Sequence, residues 1–180
     1  VVAEGFEAGG HNGREETTTL CLVPTVADAV TIPVIAAGGI GDGRAMLACM
    51  VLGAEGVQIG TRFIASIESS AHDAFKQTVI HADEGSTILT LKEITPVRMV
   101  RNAFYDELSA AYARCASADE LRTILGRGRA KKGMFEGDME AGELEIGQVS
   151  ATVREILPAA EILKDIWEGY LVAKSGLTKQ

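Results

Sequence analysis

The sequence has few aromatic residues and no long apolar run. Aromatic side chains make up 5% of the 180 residues, whereas 20 residues are glycine. Small residues with frequent glycine favour a closely packed α/β protein over an all-β one. Because no apolar stretch reaches about 18 residues and no basic segment opens the chain, we predict neither a membrane span nor a signal peptide.

Cysteine and positive charge are also scarce. Cys21, Cys49 and Cys115 are odd in number and lack the spacing of metal ligands, so we expect free thiols, no metal site and a cytoplasmic protein. Seventeen Lys and Arg residues against 25 Asp and Glu residues give a net charge of −8. Such a chain offers no basic stripe to nucleic acid phosphates, and we expect no nucleic acid partner.

Two glycine-rich turns follow short apolar runs, at 33–43 (PVIAAGGIGDG) and 56–61 (GVQIGT), with a predicted helix over 44–52 between them. This is a βαβ unit with parallel strands. Glycines at such strand ends leave N–H groups for a phosphate, although a turn can need glycine only for its positive φ. Barrels of the (β/α)8 type hold phosphate on two consecutive loops, so we predict a phosphate-bearing cofactor between Gly38-Gly39 and Gly60-Thr61.

The rest of the pattern divides the chain into residues 1–82 and a mainly helical extension, 83–180, that is not clearly an independent domain. The predicted parallel strands are 1–6, 34–37 and 56–59, and 7–13 is a loop. Helices are predicted from residue 20 or 25 to 30 and over 62–66, 71–81, 96–112 and 118–125. The prediction is completed by a strand outside the parallel set at 87–91, a loop at 126–147, a helical segment at 149–172 split at Pro158, and a frayed tail at 173–180.

His11 is the candidate catalytic residue. Of the three histidines, it alone lies on a glycine-rich loop after a predicted parallel strand, where α/β barrels gather their catalytic side chains. An imidazole exchanges protons near neutral pH. The alternative is a loop histidine that only hydrogen-bonds a backbone carbonyl.

Several segments resemble the superfamily of nitronate monooxygenases and FMN-dependent enoyl-acyl-carrier-protein reductases II. In chain order they are 7–13 (EAGGHNG), 33–40 (PVIAAGGI), 52–63 (LGAEGVQIGTRF), Glu68-Ser69, 135–138 (FEGD) and Gly147-Gln148. The resemblance covers nearly the whole chain. It implies a (β/α)8 barrel, with the three parallel strands as about its sixth to eighth.

The same resemblance implies an FMN site. By this resemblance His11 would be its active-site histidine, a general base in nitronate oxidisers and a proton donor or polariser in reductases. The implied cofactor-binding residues are Glu4, Gly9, Gly10, Gly38, Gly39, Gln58, Gly60 and Thr61.

Glu4 and the C-terminal segments favour the reductase branch, whereas Ala8 stands where the reductase motif more often has Ser. The first functional hypothesis is therefore NAD(P)H-dependent reduction of an enoyl group on acyl carrier protein, in fatty acid synthesis. The alternative is oxidation of small alkyl nitronates with O2, and a second alternative is a non-catalytic binding module.

The length of the chain affects every one of these hypotheses. A (β/α)8 barrel needs about 250 residues, and three strands cannot close one. We therefore expect the C-terminal half of an enzyme that is inactive alone. Its N-terminal half would be supplied by another chain, by cleavage after folding, or not at all, and the full enzyme would be a homo-oligomer.

Overall fold

The computed structural model describes residues 1–177; residues 178–180, the end of the predicted frayed tail, lie outside the described residues. In chain order the strands and α-helices are β1 (Val2–Glu4), β2 (Gly10–His11), α1 (Thr19–Ala29), β3 (Ile35–Ala37), α2 (Gly43–Val51), β4 (Gly56–Gln58), α3 (Thr61–Ile64), α4 (Asp73–Ile80), β5 (Thr87–Thr90), β6 (Val97–Val100), α5 (Ala103–Ala113), α6 (Ala118–Leu125), α7 (Arg129–Met134) and α8 (Ala159–Leu177). A 3-10 helix at Gln148–Thr152 precedes α8.

The first half of the chain is built on a parallel sheet in the order β1-β3-β4. Helices α1 and α2 connect its strands and cover an apolar core that includes Val23, Val34 and Ala36. The α/β prediction is confirmed, and so are the three parallel strands. Their assignment to particular barrel strands stays a prediction. Within residues 1–177, β1 and β4 each pair on one side only.

A second, antiparallel sheet has the order β2-β6-β5 and joins the two halves of the sequence. The helix predicted over 96–112 is wrong at its start, because Val97–Val100 is the central strand of this sheet. Val97 and Met99 are buried in it, so the segment gains more from packing as a strand. Helix α5 begins only at Ala103, after Asn102, whose side chain accepts a hydrogen bond from the Tyr105 N–H at 3.1 Å.

Two further predictions need correction. The predicted loop over 7–13 contains β2. The predicted loop over 126–147 contains α7, whose Arg129 guanidinium donates to the last carbonyls of α6 and lies 4.2 Å from the centre of the Phe104 ring. This anchor gives a short, glycine-flanked segment a fixed place that its composition does not predict.

The C-terminal segment is split at Pro158, as predicted, since α8 begins at Ala159. The predicted frayed tail is wrong over residues 173–177, because α8 continues to Leu177. Helix α8 then packs across α2 with very little space between the two helix backbones. A Cβ atom on Gly43 would lie 2.0 Å from the Tyr170 nitrogen, and Gly169 also faces Gly43. The backbones of α2 and α8 are therefore in direct contact. None of the helices in the described part of the chain is long and apolar enough to cross a lipid bilayer.

We expect Gly43→Ala to destabilise the protein by about 1 to 3 kcal/mol, because the added methyl group must push α8 away from α2. The matched control is Gly176→Ala, also in a helix, where an added Cβ meets nothing within 4 Å. The control should leave the free energy of unfolding unchanged or raise it by about 0.5 to 1 kcal/mol. Urea unfolding of the two variants measures both effects, and equal stabilities would contradict the close packing of α2 on α8.

Candidate functional site

A cavity of about 160 Å³ lies where the three parallel strands end. Its wall includes the last residue of each strand, Glu4, Ala37 and Gln58. Seven of the predicted site residues line it: Glu4, Gly9, Gly38, Gly39, Gln58, Gly60 and Thr61. The structure thus brings the two glycine-rich turns together around one space, while the roles of these residues stay predictions.

The cavity wall carries unused hydrogen-bond donors. Within residues 1–177, the backbone N–H groups of Gly38, Gly39, Gly60 and Thr61 donate to no other group of the chain. Buried or half-buried backbone N–H groups are almost always paired in folded proteins. Gly38, Gly39 and Thr61 are buried or half-buried, and Gly60 adds an exposed fourth donor. These N–H groups in one wall match the oxygen atoms of an anionic group such as a phosphate.

The glycines of the two turns serve different purposes. Gly38 has φ +89°, and a Cβ atom there would lie 2.6 Å from the Gly5 carbonyl oxygen. The fold itself requires this glycine, because the turn after β3 packs against the turn after β1. Gly60 is different, since a Cβ atom there would meet nothing within 4 Å. Only Gly60 leaves open space beside the cavity.

Glu7, which the sequence did not single out, joins three elements of the site. Its carboxylate accepts hydrogen bonds from the backbone N–H and the hydroxyl of Thr19, both at 2.9 Å. The same hydroxyl lies 3.0 Å from the Gly38 carbonyl oxygen. Thr18, the residue before α1, makes no side-chain cap, and Glu7 takes over this role at the start of the helix. Through Thr19, Glu7 also connects the loop after β1 to the turn after β3.

A third wall comes from the segment before the 3-10 helix, where the sequence predicted only a loop. The Gly147 N–H donates to the Thr61 hydroxyl at 2.9 Å, and the Gln148 N–H donates to the Glu7 carbonyl at 2.9 Å. Glu145 and Val149 also line the cavity. Gly147-Gln148, one of the segments that carry the family resemblance, was the available signal for this wall.

Among the described residues, two of the predicted site residues do not line the cavity. Gly10 and His11 form β2, where they pair with Arg98 and Val97 of β6. His11 is exposed. Gly10 has φ +77°, and a Cβ atom there would lie 2.7 Å from Oε2 of Glu145. The glycine therefore makes room for the Glu145 carboxylate.

Arg98 fixes the loop that carries these residues. Its side chain is 2% exposed, and its Nε and one terminal nitrogen donate to the Phe6 carbonyl at 3.1 and 2.9 Å. The guanidinium also lies 4.6 Å from the centre of the Phe6 ring. The loop between β1 and β2 is thus held by a buried cation, and burial lowers the pKa of that guanidinium.

Three carboxyl groups in or near the site have raised pKa values. Burial raises the pKa of Glu4. Burial also raises the pKa of Glu145, although the nearby His11 opposes the shift. Burial and the charge of Glu145 raise the pKa of Glu143 to about 7, against the attraction of Arg129. No group of three or more His, Cys, Asp or Glu side chains within residues 1–177 is placed to hold a metal ion.

The similarity of this chain to known proteins extends over nearly its whole length. A model of the nitronate monooxygenase family matches residues 1–169. A probable nitronate monooxygenase of Staphylococcus aureus (strain JH9) is 44% identical over 175 residues, which are 92% of this chain and 49% of that protein.

Two solved structures are similar to nearly all of this chain. FabK from Thermotoga maritima superposes with a TM-score of 0.89 and 39% identity, covering 99% of this chain and 56% of that one. A nitroalkane oxidase from Streptomyces ansochromogenes gives a TM-score of 0.78 and 31% identity, covering 98% of this chain and 53% of that one. The chain therefore spans about half the length of these relatives.

We expect the pKa of Glu143 to make stability pH-dependent. Between its ordinary pKa of 4.5 and about 7, the folded chain binds more protons than the unfolded chain. The free energy of unfolding therefore falls as the pH rises through this window. Glu143→Gln should remove this loss, which amounts to about 1 to 2 kcal/mol after allowance for solvent screening.

Urea unfolding at about pH 5 and about pH 8 measures this difference. Glu84→Gln, a change of an exposed carboxylate, is the matched control and should follow the wild type. A Glu143→Gln variant with the same pH dependence as the wild type would contradict the burial of an ionisable Glu143.

Proposed function

Since this chain belongs to the nitronate monooxygenase family, we propose that it supplies the phosphate-binding half of the site of an FMN-dependent oxidoreductase. The observation that carries the proposal is the group of four unpaired N–H donors on Gly38, Gly39, Gly60 and Thr61, in one cavity wall. A phosphate satisfies such donors without a basic side chain.

The residues present fit FMN. The donors named above would hold its phosphate. Glu4 and Gln58, which end the two outer strands β1 and β4, line the same cavity on either side of the end of β3. When bound, FMN supplies the two-electron redox chemistry that amino-acid side chains lack. The Thr61 hydroxyl accepts a bond from Gly147 and so keeps the third wall against this site.

The cavity of about 160 Å³ is smaller than the roughly 300 to 1,000 Å³ typical of small-molecule sites. The complete site therefore needs a further wall. We propose that the N-terminal half of a (β/α)8 barrel supplies it, by pairing with the free edges of β1 and β4. The three parallel strands would then be about the sixth to eighth of the barrel.

The reaction that we place first is oxidation of alkyl nitronates with O2. The name of the curated relative supports it, with 44% identity over 92% of this chain. This reverses the order of the two hypotheses drawn from the sequence. In this reaction His11 is the acid–base group, and Arg98 holds its loop through the Phe6 carbonyl.

Reduction of an enoyl thioester on acyl carrier protein, with NAD(P)H as co-substrate, is the second candidate. It is favoured by Glu4, the residue that resembles the reductase branch, which lines the cavity. The two reactions separate in one experiment on the full-length protein. NAD(P)H bleaches the bound flavin of a reductase, whereas a nitronate bleaches that of a nitronate oxidiser.

We expect FMN to raise the thermal unfolding midpoint of the full-length wild-type protein, because a ligand that binds only the folded state stabilises it. Gly60→Asp should abolish this gain, since it places a negative charge beside the phosphate donors. Gly60→Ala is the matched control and should keep the gain, because a Cβ atom at this position meets nothing within 4 Å.

The measurement is the midpoint with and without FMN for the three proteins, with inorganic phosphate as competitor. A full-length wild-type protein that gains no stability from FMN would favour the non-catalytic binding module instead. Equal gains in Gly60→Ala and Gly60→Asp would place the phosphate elsewhere.

In the full-length protein, we expect His11→Ala to lower turnover by about 10²-fold or more, the usual contribution of a positioned acid–base group. Steady-state kinetics with a nitronate and with an enoyl thioester measures the effect in either reaction. Unchanged turnover with both substrates would exclude His11 as the acid–base group.

A further inference from the structure

Two consecutive glycines carry two of the unpaired N–H donors of the cavity wall. Gly38 and Gly39 have φ +89° and +69°, both in the left-handed region. A glycine has no Cβ atom to restrict its backbone, so the peptide unit between these two residues has little preference of its own for one orientation. The direction of its N–H group depends on what binds the carbonyl oxygen of the same peptide unit.

Hydrogen bonds to two successive carbonyl groups set these directions. In a trans peptide unit the C=O and N–H groups point in opposite directions, and no peptide bond within residues 1–177 is cis. The Ala37 carbonyl accepts a bond from the Gly5 N–H at 2.9 Å, which turns the Gly38 N–H away from Gly5. The Gly38 carbonyl accepts a bond from the Thr19 hydroxyl at 3.0 Å, which turns the Gly39 N–H away from Thr19.

Thr19 lies behind the turn and not in the cavity. Among the described residues, it is the only hydrogen-bond donor to the Gly38 carbonyl oxygen. Thr19 is 8% exposed, and it is not one of the residues that line the cavity, whereas Gly38 and Gly39 do line it. Thr19 can therefore affect a ligand only through the orientation of this turn.

Glu7 holds Thr19 in this position. Oε2 of Glu7 accepts a bond from the Thr19 N–H at 2.9 Å and lies 2.9 Å from the Thr19 hydroxyl. The single hydrogen of this hydroxyl is shared between Oε2 and the Gly38 carbonyl oxygen. The side chain of Glu7 also supports Gly39, since a Cβ atom there would lie 3.3 Å from the Glu7 Cβ.

We propose that Thr19 and Glu7 are positioning residues for the cofactor phosphate, and that they give the site a preference for FMN over riboflavin, which lacks the phosphate. Thr19 orients the Gly39 N–H, and Glu7 fixes the Thr19 hydroxyl. The inference rests on the proposed function, and it adds two side chains on which affinity for the phosphate depends.

Comparison of FMN with riboflavin tests the role of Thr19, because the two flavins differ only in the phosphate. The measurement is the dissociation constant of each flavin, from the quenching of its fluorescence by flavin-free full-length protein. We expect Thr19→Val to raise the dissociation constant of FMN about 10-fold, the effect of one hydrogen bond, and to leave that of riboflavin unchanged. Thr19→Ser keeps the hydroxyl and should restore the affinity for FMN.

The matched control is Glu15→Gln, a change of an exposed carboxylate in the same loop, which should bind both flavins like the wild type. An equal loss of affinity for both flavins in Thr19→Val would overturn the proposal, because Thr19 would then support the fold and not the phosphate donors. An unchanged dissociation constant of FMN in this variant would overturn it too.

Two variants of Glu7 separate its hydrogen bonds from its charge. Glu7 lines the cavity, so its negative charge opposes the phosphate. Glu7→Gln and Glu7→Ala remove the same charge, but only the glutamine keeps an oxygen for the Thr19 N–H. We expect Glu7→Ala to bind FMN about 10-fold more weakly than Glu7→Gln. Equal affinities of these two variants would exclude Glu7 as a positioning residue.

A double variant tests whether Glu7 acts through Thr19. The losses of Glu7→Ala and Thr19→Val should not add in the double variant, because both changes break the same connection to Gly38. Additive losses would contradict this connection.

The wild-type protein tests the proposed function separately. If it binds FMN no more tightly than riboflavin, the phosphate site is absent, and the proposed function fails together with the inference. If the wild type prefers FMN and Thr19→Val prefers it equally, only the inference fails.

Discussion

The site depends on the close approach of bare backbone in three loops. Gly38 packs on the Gly5 carbonyl, Gly9 on Ile146, and Gly147 on the Glu7 carbonyl, each at a distance that excludes a Cβ atom. These contacts hold the turns after β1 and β3 and the segment after α7 in a single wall. The N–H groups of Gly38 and Gly39 lie on one of these three loops, and none of the loops can move alone.

Charge is distributed unevenly over this wall. Neutral N–H donors stand at the turns after β3 and β4, and carboxyl groups stand at Glu4, Glu7 and Glu145. The Glu7 charge is satisfied by Thr19 and the start of α1, which leaves Glu4 and Glu145 facing the cavity. The wall of this cavity thus carries both N–H donors that suit an anionic group and carboxyl groups that suit hydrogen-bond donors.

The sequence predicted the parallel half of the fold well, since short apolar runs ending in glycine have one common explanation. It failed at Val97–Val100, where Pro96 suggested a helix start and only tertiary packing selects a strand. It also failed at α7, which is held by Arg129 rather than by its own composition. In the site, the spacing of the glycines in the sequence predicted the two turns. It did not predict Glu7 and Glu145, which are polar residues in loops. Their role depends on contacts that no local pattern encodes.

The bare-backbone contacts also limit how this site can change during evolution or design. Gly9, Gly38 and Gly147 cannot accept a side chain without separating the loops, so this part of the wall is nearly invariant in shape. Variation is left to the side chains that project between the glycines, chiefly Gln58, Glu145 and Val149. A single scaffold can therefore keep the shape of this wall while a few side chains change its chemistry.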